Sequence, residues 1–216
     1  MKKNKLTAKR KKILEKLSEL YPDASTELEY SDNFELLIAV MLSAQCTDKQ
    51  VNKITSGLFK KYKSPEDIAK LSWEDLAEEI KGCGLYRNKS KNIVNTSRIL
   101  VDKYNSVVPE NREDLESLPG VGRKTANVVM SVAFGCPVMP VDTHVFRVSR
   151  RLGLSAGKNP VEVENDLQMS IPTELMGAMH HCLILHGRRL CRARNPHCGE
   201  CGLSELCTGK EGDSKQ

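Results

Sequence analysis

The stretch Phe34-Glu35-Leu36-Leu37-Ile38-Ala39-Val40-Met41-Leu42 is apolar almost all the way round. A helix with no polar face cannot lie at a surface, so other elements must enclose it. The chain is therefore expected to wrap around this segment, predicted to be helical over 34–45. The segments available to enclose it also read as helices. Asp32 to Glu35 and Thr47 to Gln50 have the spacing of helix caps. Ser64-Pro65-Glu66-Asp67 sets a cap residue before a first-turn proline and acids, and Ser72 to Asp75 opens a further short helix. Ile93, Ser97, Leu100, Val101 and Tyr104 share one helical face. Further helices are predicted over 121–134, with Gly135 as a stop, and over 141–152, 161–169 and 175–185. Period-two alternation is scarce, and no internal repeat stands out. The expected fold class is all-α.

Charge narrows the partners. The chain carries a net charge of +5, and the surplus is clustered. Lys2, Lys3, Lys5, Lys9, Arg10, Lys11 and Lys12 precede the first acid, Glu15, and Arg188, Arg189, Arg192 and Arg194 form a second group. Such patches suit a polyanion, although the first group also fits a solvated helix face. No apolar run approaches the roughly 20 residues needed to cross a bilayer, and no secretory signal follows the basic N-terminus. A cytoplasmic, nucleoid-facing location without membrane contact is expected.

Two further patterns carry chemistry. Leu118-Pro119-Gly120-Val121-Gly122-Arg123-Lys124-Thr125-Ala126 joins a glycine turn to a helix start. Gly120 and Gly122 tolerate unusual dihedrals, and their backbone N–H groups can approach a phosphate beside a helix N-terminus. The glycine spacing alone also fits an ordinary turn between helices. Asp142 precedes an apolar-periodic segment and could serve simply as a helix cap. Of the eight cysteines, Cys46, Cys83, Cys136 and Cys182 sit among apolar neighbours and read as small buried hydrophobes. Cys191, Cys198, Cys201 and Cys207 follow the pattern Cys-x6-Cys-x2-Cys-x5-Cys, which reads as metal ligation. A structural zinc site more often shows two Cys-x2-Cys pairs, so spacing favours an iron–sulfur cluster while leaving zinc open.

The ordered series of motifs resembles the endonuclease III family of helix-hairpin-helix base-excision repair enzymes. It runs from 34–40 through Leu42-Ser43-Ala44-Gln45, Gly84-Leu85-Tyr86, the glycine hairpin and Val141-Asp142-Thr143-His144 to His181-Cys182-Leu183-Ile184-Leu185-His186-Gly187-Arg188. The resemblance covers about Thr26 to Cys207. It implies a two-lobed helix-hairpin-helix DNA glycosylase fold with a C-terminal [4Fe-4S] loop. One lobe is expected over 25–136 and the other over 1–24 plus 137–216, with duplex DNA in the cleft between them and Lys124 and Asp142 on opposite walls.

The resemblance also assigns roles. It makes Lys124 the nucleophile and Asp142 the catalytic carboxylate of a DNA glycosylase and abasic-site lyase. An attacking amine must be neutral, whereas free lysine is almost wholly protonated near neutrality. A position in the first turn of a helix disfavours the charge, and burial against a flipped nucleotide would act in the same sense. Such enzymes extrude their target nucleotide. Gln45 matches the glutamine that fills the gap, and Leu85 matches the residue that wedges into the base stack. Gly120, Val121, Gly122, Arg123, Arg192 and Arg194 are expected to contact DNA. Ser43, Asp48 and His144 are expected near the base pocket or a proton relay. Cys191, Cys198, Cys201 and Cys207 would hold the cluster. Oxidised pyrimidines and abasic sites are the expected substrates, and a monomer is the expected state. Two rivals remain at this point: a monofunctional sibling, which would lack the lysine, and a non-catalytic DNA-binding module, which would be indifferent to its loss.

Overall fold

The computed structural model describes residues 7–209; Lys2, Lys3 and Lys5 of the first basic group lie outside them. Along the chain the α-helices are α1 (Ala8–Leu20), α2 (Asn33–Ser43), α3 (Asp48–Lys61), α4 (Pro65–Ala69), α5 (Trp73–Glu79), α6 (Tyr86–Tyr104), α7 (Arg112–Ser117), α8 (Arg123–Phe134), α9 (Thr143–Arg151), α10 (Pro160–Ser170) and α11 (Met176–Arg189), with a 3₁₀ turn at Thr173–Leu175. No strand occurs among the described residues. Contacts divide the chain into two units, Glu27–Phe134 and Met1–Thr26 with Gly135–Gln216.

In the Glu27–Phe134 unit, α2 is the core. Leu36, Leu37, Ile38, Ala39 and Leu42 are fully buried, as its lack of a polar face requires. Asp32 accepts the Glu35 N–H at 2.8 Å, and the Glu35 carboxylate accepts the Ser31 N–H at 2.6 Å, so both ends of the capping pattern are used. Thr47, Ser64 and Ser72 cap α3, α4 and α5 through their side chains. The helix α2 stops at Ser43, short of the predicted 45, because Gln45 turns into the left-handed region at φ 55°. The helix α6 starts earlier than its apolar stripe suggests, directly after Leu85 at φ 60°. Its Ile93, Val94 and Leu100 join the same core as Leu118, Val121, Ala126 and Val129 around the glycine hairpin.

The other unit has its own core. Ile13, Leu14 and Leu17 of α1 meet Val145 and Val148 of α9, Val163 and Leu167 of α10, and Met179 and Leu183 of α11. Asp142 caps α9, and Asn159 caps α10. Gly135, at φ 64°, ends α8 as a left-handed stop. The scattered cysteines divide: Cys83 and Cys182 are buried, while Cys46 and Cys136 are only partly so.

Candidate active site and cysteine-lined cavity

The glycine hairpin is built against α6. Gly120 has φ 79°, and a Cβ there would lie 2.7 Å from the Asn92 amide nitrogen, so only glycine fits. Thr96 donates its hydroxyl to the Pro119 carbonyl at 3.0 Å, tying the turn to the same helix. Gly122 differs from expectation. It lacks positive φ, and a Cβ there would meet nothing within 4 Å, so its use is open backbone access rather than an unusual dihedral. Val121 also differs. Its side chain is buried in the core, and its N–H bonds the Leu118 carbonyl at 3.1 Å. It anchors the turn from below, so the accessible surface comes from Gly122, Arg123 and Lys124, all exposed.

Lys124 lies in the first turn of α8, where the helix dipole disfavours a positive charge. The side chain is exposed. In the other unit, Asp142 is half-buried and accepts the Val145 N–H at 2.7 Å, which fixes one carboxylate oxygen. His144 does not project freely. Its Nδ1 lies 3.2 Å from the Arg147 guanidinium, which can only donate, so the ring offers a lone pair there and carries its hydrogen on Nε2. The same guanidinium donates to the Gly187 and Cys191 carbonyls at 3.0 Å each. Arg147 thus locks α9, α11 and the first cysteine together.

Gln45 and Leu85 are both exposed at loop tips, Leu85 by 55%. Ser43 donates its hydroxyl to the Val40 carbonyl at 2.8 Å, so it finishes α2, and Asp48 occupies the first turn of α3.

The four cysteines come together. Cys191, Cys198, Cys201 and Cys207 line one cavity of about 240 Å³ with His186, Leu190, Pro196 and Arg151. Burial pushes the Cys201 thiol up, the Leu203 amide opposes that, and the other three sulfurs push it up further. Among the described residues no three His, Cys, Asp or Glu side chains are placed to hold a single metal ion. The four thiols line one space, which suits a multinuclear cluster.

The cavity wall is supported from outside. Arg151 donates to the Arg192 carbonyl at 2.7 Å and reaches the Cys191 sulfur at 3.7 Å, while its own carbonyl accepts the Thr208 N–H at 3.1 Å. His186 is buried, which pushes its imidazole down to about 4 and keeps it neutral. Tyr21, whose hydroxyl burial holds in its protonated form, sits 3.1 Å from His186 Nδ1. With Tyr21 donating there, Nε2–H faces the Cys201 sulfur at 3.6 Å. Arg192 and Arg194 stand exposed on the loop. Arg147, Arg151, His186 and Tyr21 carry no spacing signal, because the partners that tie them into the cavity wall lie far away in sequence or in the C-terminal loop.

Comparison with known proteins agrees with this arrangement. Residues 38–173 match the HhH-GPD superfamily base excision DNA repair protein model, and residues 191–207 match the iron-sulfur binding domain of endonuclease III. The chain is 51% identical to endonuclease III of Bacillus subtilis (strain 168) over 204 residues, covering 94% of this chain and 93% of that one. It is 52% identical to endonuclease III of Haemophilus influenzae over 203 residues, covering 94% and 96%. The structure of a trapped endonuclease III–DNA covalent intermediate, an estranged-adenine complex, superposes with a TM-score of 0.88 at 48% identity, covering 94% of this chain and 97% of that one. The group that belongs in the cysteine-lined cavity is accordingly a [4Fe-4S] cluster. A glycine hairpin followed by a first-turn lysine, a helix-capping aspartate and a thiol-lined cavity occur in one helical chain, and the likeness extends over nearly its whole length: the chain belongs to the endonuclease III family of the HhH-GPD superfamily.

Proposed function

We propose that the chain is a bifunctional DNA glycosylase and abasic-site lyase of base excision repair, with Lys124 as nucleophile and Asp142 as its carboxylate partner. The observation that carries this reading is an exposed lysine in the first turn of α8, directly after the Gly120 turn. A phosphate held at open backbone around Gly122 and Arg123 brings the adjoining sugar to the amine. The Lys124 nitrogen bonds C1′, and the bond from C1′ to the base breaks, with the base leaving as it gains a proton. Asp142, ionised, stabilises the positive charge that develops on the sugar. Ring opening gives a Schiff base on Lys124, which acidifies the C2′ proton. Loss of that proton expels the 3′ phosphate, and water then releases the lysine. Oxidised or ring-fragmented pyrimidines and abasic sites in double-stranded DNA are the substrates. Gln45 fills the vacated space, and Leu85 enters the stack.

Cys191, Cys198, Cys201 and Cys207 would hold the cluster, which would supply an architectural tie rather than a reacting group. The loop so tied carries Arg192 and Arg194, which meet phosphates. Among the described residues no helix is long and apolar enough to cross a membrane. The protein works as a monomer on nucleoid DNA in the cytoplasm.

Borohydride tests the assignment of Lys124, because it reduces the Schiff base to a stable amine. The parent protein should form a covalent adduct with abasic-site duplex, and Lys124→Ala should form none. An adduct of undiminished yield from Lys124→Ala would remove Lys124 from the mechanism. Absence of both adduct and strand cleavage with the parent as well as with Lys124→Ala would favour the non-catalytic rival.

A further inference from the structure

Gln45 and Leu85 share an unusual feature. Both lie in the left-handed region, at φ 55° and φ 60°, an arrangement unfavourable for residues with a Cβ. Both are also exposed, so neither is held by burial of its own side chain. Their loops meet: a Cβ at Gly84 would sit 3.1 Å from the Gln45 carbonyl. Something beneath them must keep the two tips in place.

That something is Lys89, at the end of the first turn of α6. It is only 7% exposed. Its ammonium donates to the Leu42 carbonyl at 2.7 Å and the Ala44 carbonyl at 2.5 Å, and it reaches the Cys83 sulfur at 3.0 Å. The Cys83 thiol donates in turn to the Leu42 carbonyl at 3.2 Å. The three donors of an ammonium thus meet three acceptors. Two of them are at the end of α2, which has no basic residue in its last turn. Ala44 immediately precedes Gln45. Cys83 lies two residues before Leu85, and the Leu85 carbonyl accepts the Lys89 N–H at 3.0 Å. One residue is therefore bonded to both loops at their roots.

We propose that Lys89 is a positioning residue that joins the Gln45 and Leu85 loops into one preformed wedge, so that both tips enter DNA together. The inference rests on the reading of Gln45 as gap filler and Leu85 as wedge. A preformed wedge avoids ordering two loops at the moment of binding. Lys89 itself touches neither DNA nor the reacting sugar. A lysine at this place has no local sequence signal, and by composition it would be taken for one more surface cation.

The test uses the cluster-loaded, full-length protein and a duplex in which a stable tetrahydrofuran abasic analogue faces 2-aminopurine. Unstacking of 2-aminopurine raises its fluorescence, and the amplitude is read at saturating protein, so that a smaller folded fraction does not alter it. Lys89→Gln and Lys89→Met are compared with the parent, with Gln45→Ala, and with Leu85→Ala, each below its own melting temperature. The amplitude per complex should fall by about half or more in the Lys89 variants, as expected when a supporting shell is loosened. Adding Lys89→Gln to the Gln45→Ala, Leu85→Ala pair should lower it no further, because residues acting through one another are not additive. If the loop variants lose amplitude and the Lys89 variants keep it, Lys89 is a fold residue only and the inference is overturned. If the loop variants keep full amplitude, the wedge reading fails and takes this inference with it.

Discussion

Replacing Gly187 by alanine sets two effects of opposite sign against each other. Within a helix such as α11, glycine to alanine ordinarily stabilises by about 1 kcal/mol. Here the added Cβ would lie 2.9 Å from the His144 Cβ, 3.0 Å from its Nδ1 and 3.1 Å from Val148 Cγ2. The imidazole could swing aside, but the His144 Cβ is fixed to the α9 backbone. The Arg147 guanidinium, bonded to both the Gly187 carbonyl and His144, resists separation of the two helices. Overpacking of this kind costs about 1–3 kcal/mol, so the net change is a destabilisation of roughly 0–2 kcal/mol. For a chain of this length that lowers the melting temperature by up to about 8 °C. The helix that yields is α9, and its cap is Asp142. A misplacement approaching 1 Å at a reacting group costs about 100-fold in rate, so a shift of a few tenths should cost several-fold. Thermal melting and single-turnover base excision read the two consequences separately. His144→Gly removes the opposing Cβ, and the double variant should be more stable than the sum of the singles by about 0.5 kcal/mol or more. A Gly187→Ala protein that melts at or above the parent and excises bases at the same rate would show that the contact exerts no strain.

Three further outcomes follow from the same geometry. Asp142→Asn should keep the α9 cap, since asparagine caps as well as aspartate, and so keep the melting temperature while excision falls steeply; Asp142→Ala should lose excision and also about 1 kcal/mol of stability. The His181 imidazole is held below its usual value by burial and then by the Arg188 guanidinium. The unfolded chain therefore binds the proton more readily, and the stabilisation, fully present above about pH 6.5, is lost as the pH falls below it. His181→Gln should flatten part of the drop in melting temperature between about pH 7.5 and pH 5, the remainder including His186. Cys201→Ser, or chelation of the iron, should remove the visible absorbance of the cluster and open residues 191–209 to protease, which gel mapping of the cleavage sites would show.

The helical class was legible because it is written in local signals. The all-round apolar face of α2, the Asp32 and Thr47 caps and the Ser64-Pro65 start each act within a few residues. Ends were less legible. Gln45 and Leu85 turn left-handed without glycine, held from elsewhere in the fold, so periodicity overran one helix and began another late. The short α7 escaped because six residues give no period, although Asn111 and Asp114 form a cap pair. At the site, the identities of Lys124, Asp142 and the four cysteines could be picked out by spacing and resemblance. Their support could not. Val121 looks like part of a DNA-facing turn but packs inward, and Lys89, Arg147 and Arg151 look like surface cations but bond carbonyls far away in sequence.

The loop around the cysteine cavity depends on its cofactor for a reason that the rest of the chain does not share. Ordering backbone costs about 1–2 kcal/mol per residue, and a fully buried leucine returns about 1.5–3 kcal/mol. The helices recover that cost through repeated hydrogen bonds and an apolar face. Residues 191–209 contain no α-helix, and Leu203 is their one fully buried side chain. A few tethers help: Arg147 on the Cys191 carbonyl, Arg151 on the Arg192 carbonyl, and the Thr208 N–H on Arg151. Each such bond contributes about 1 kcal/mol net, so together they fall well short of ordering the loop. A cluster held by Cys191, Cys198, Cys201 and Cys207 would supply the remainder, much as a structural metal supplies folding energy to a small domain. The exposed Arg192 and Arg194 ride on a segment with few tethers of its own, and a cluster bound there would hold them in place without taking part in any bond-breaking step.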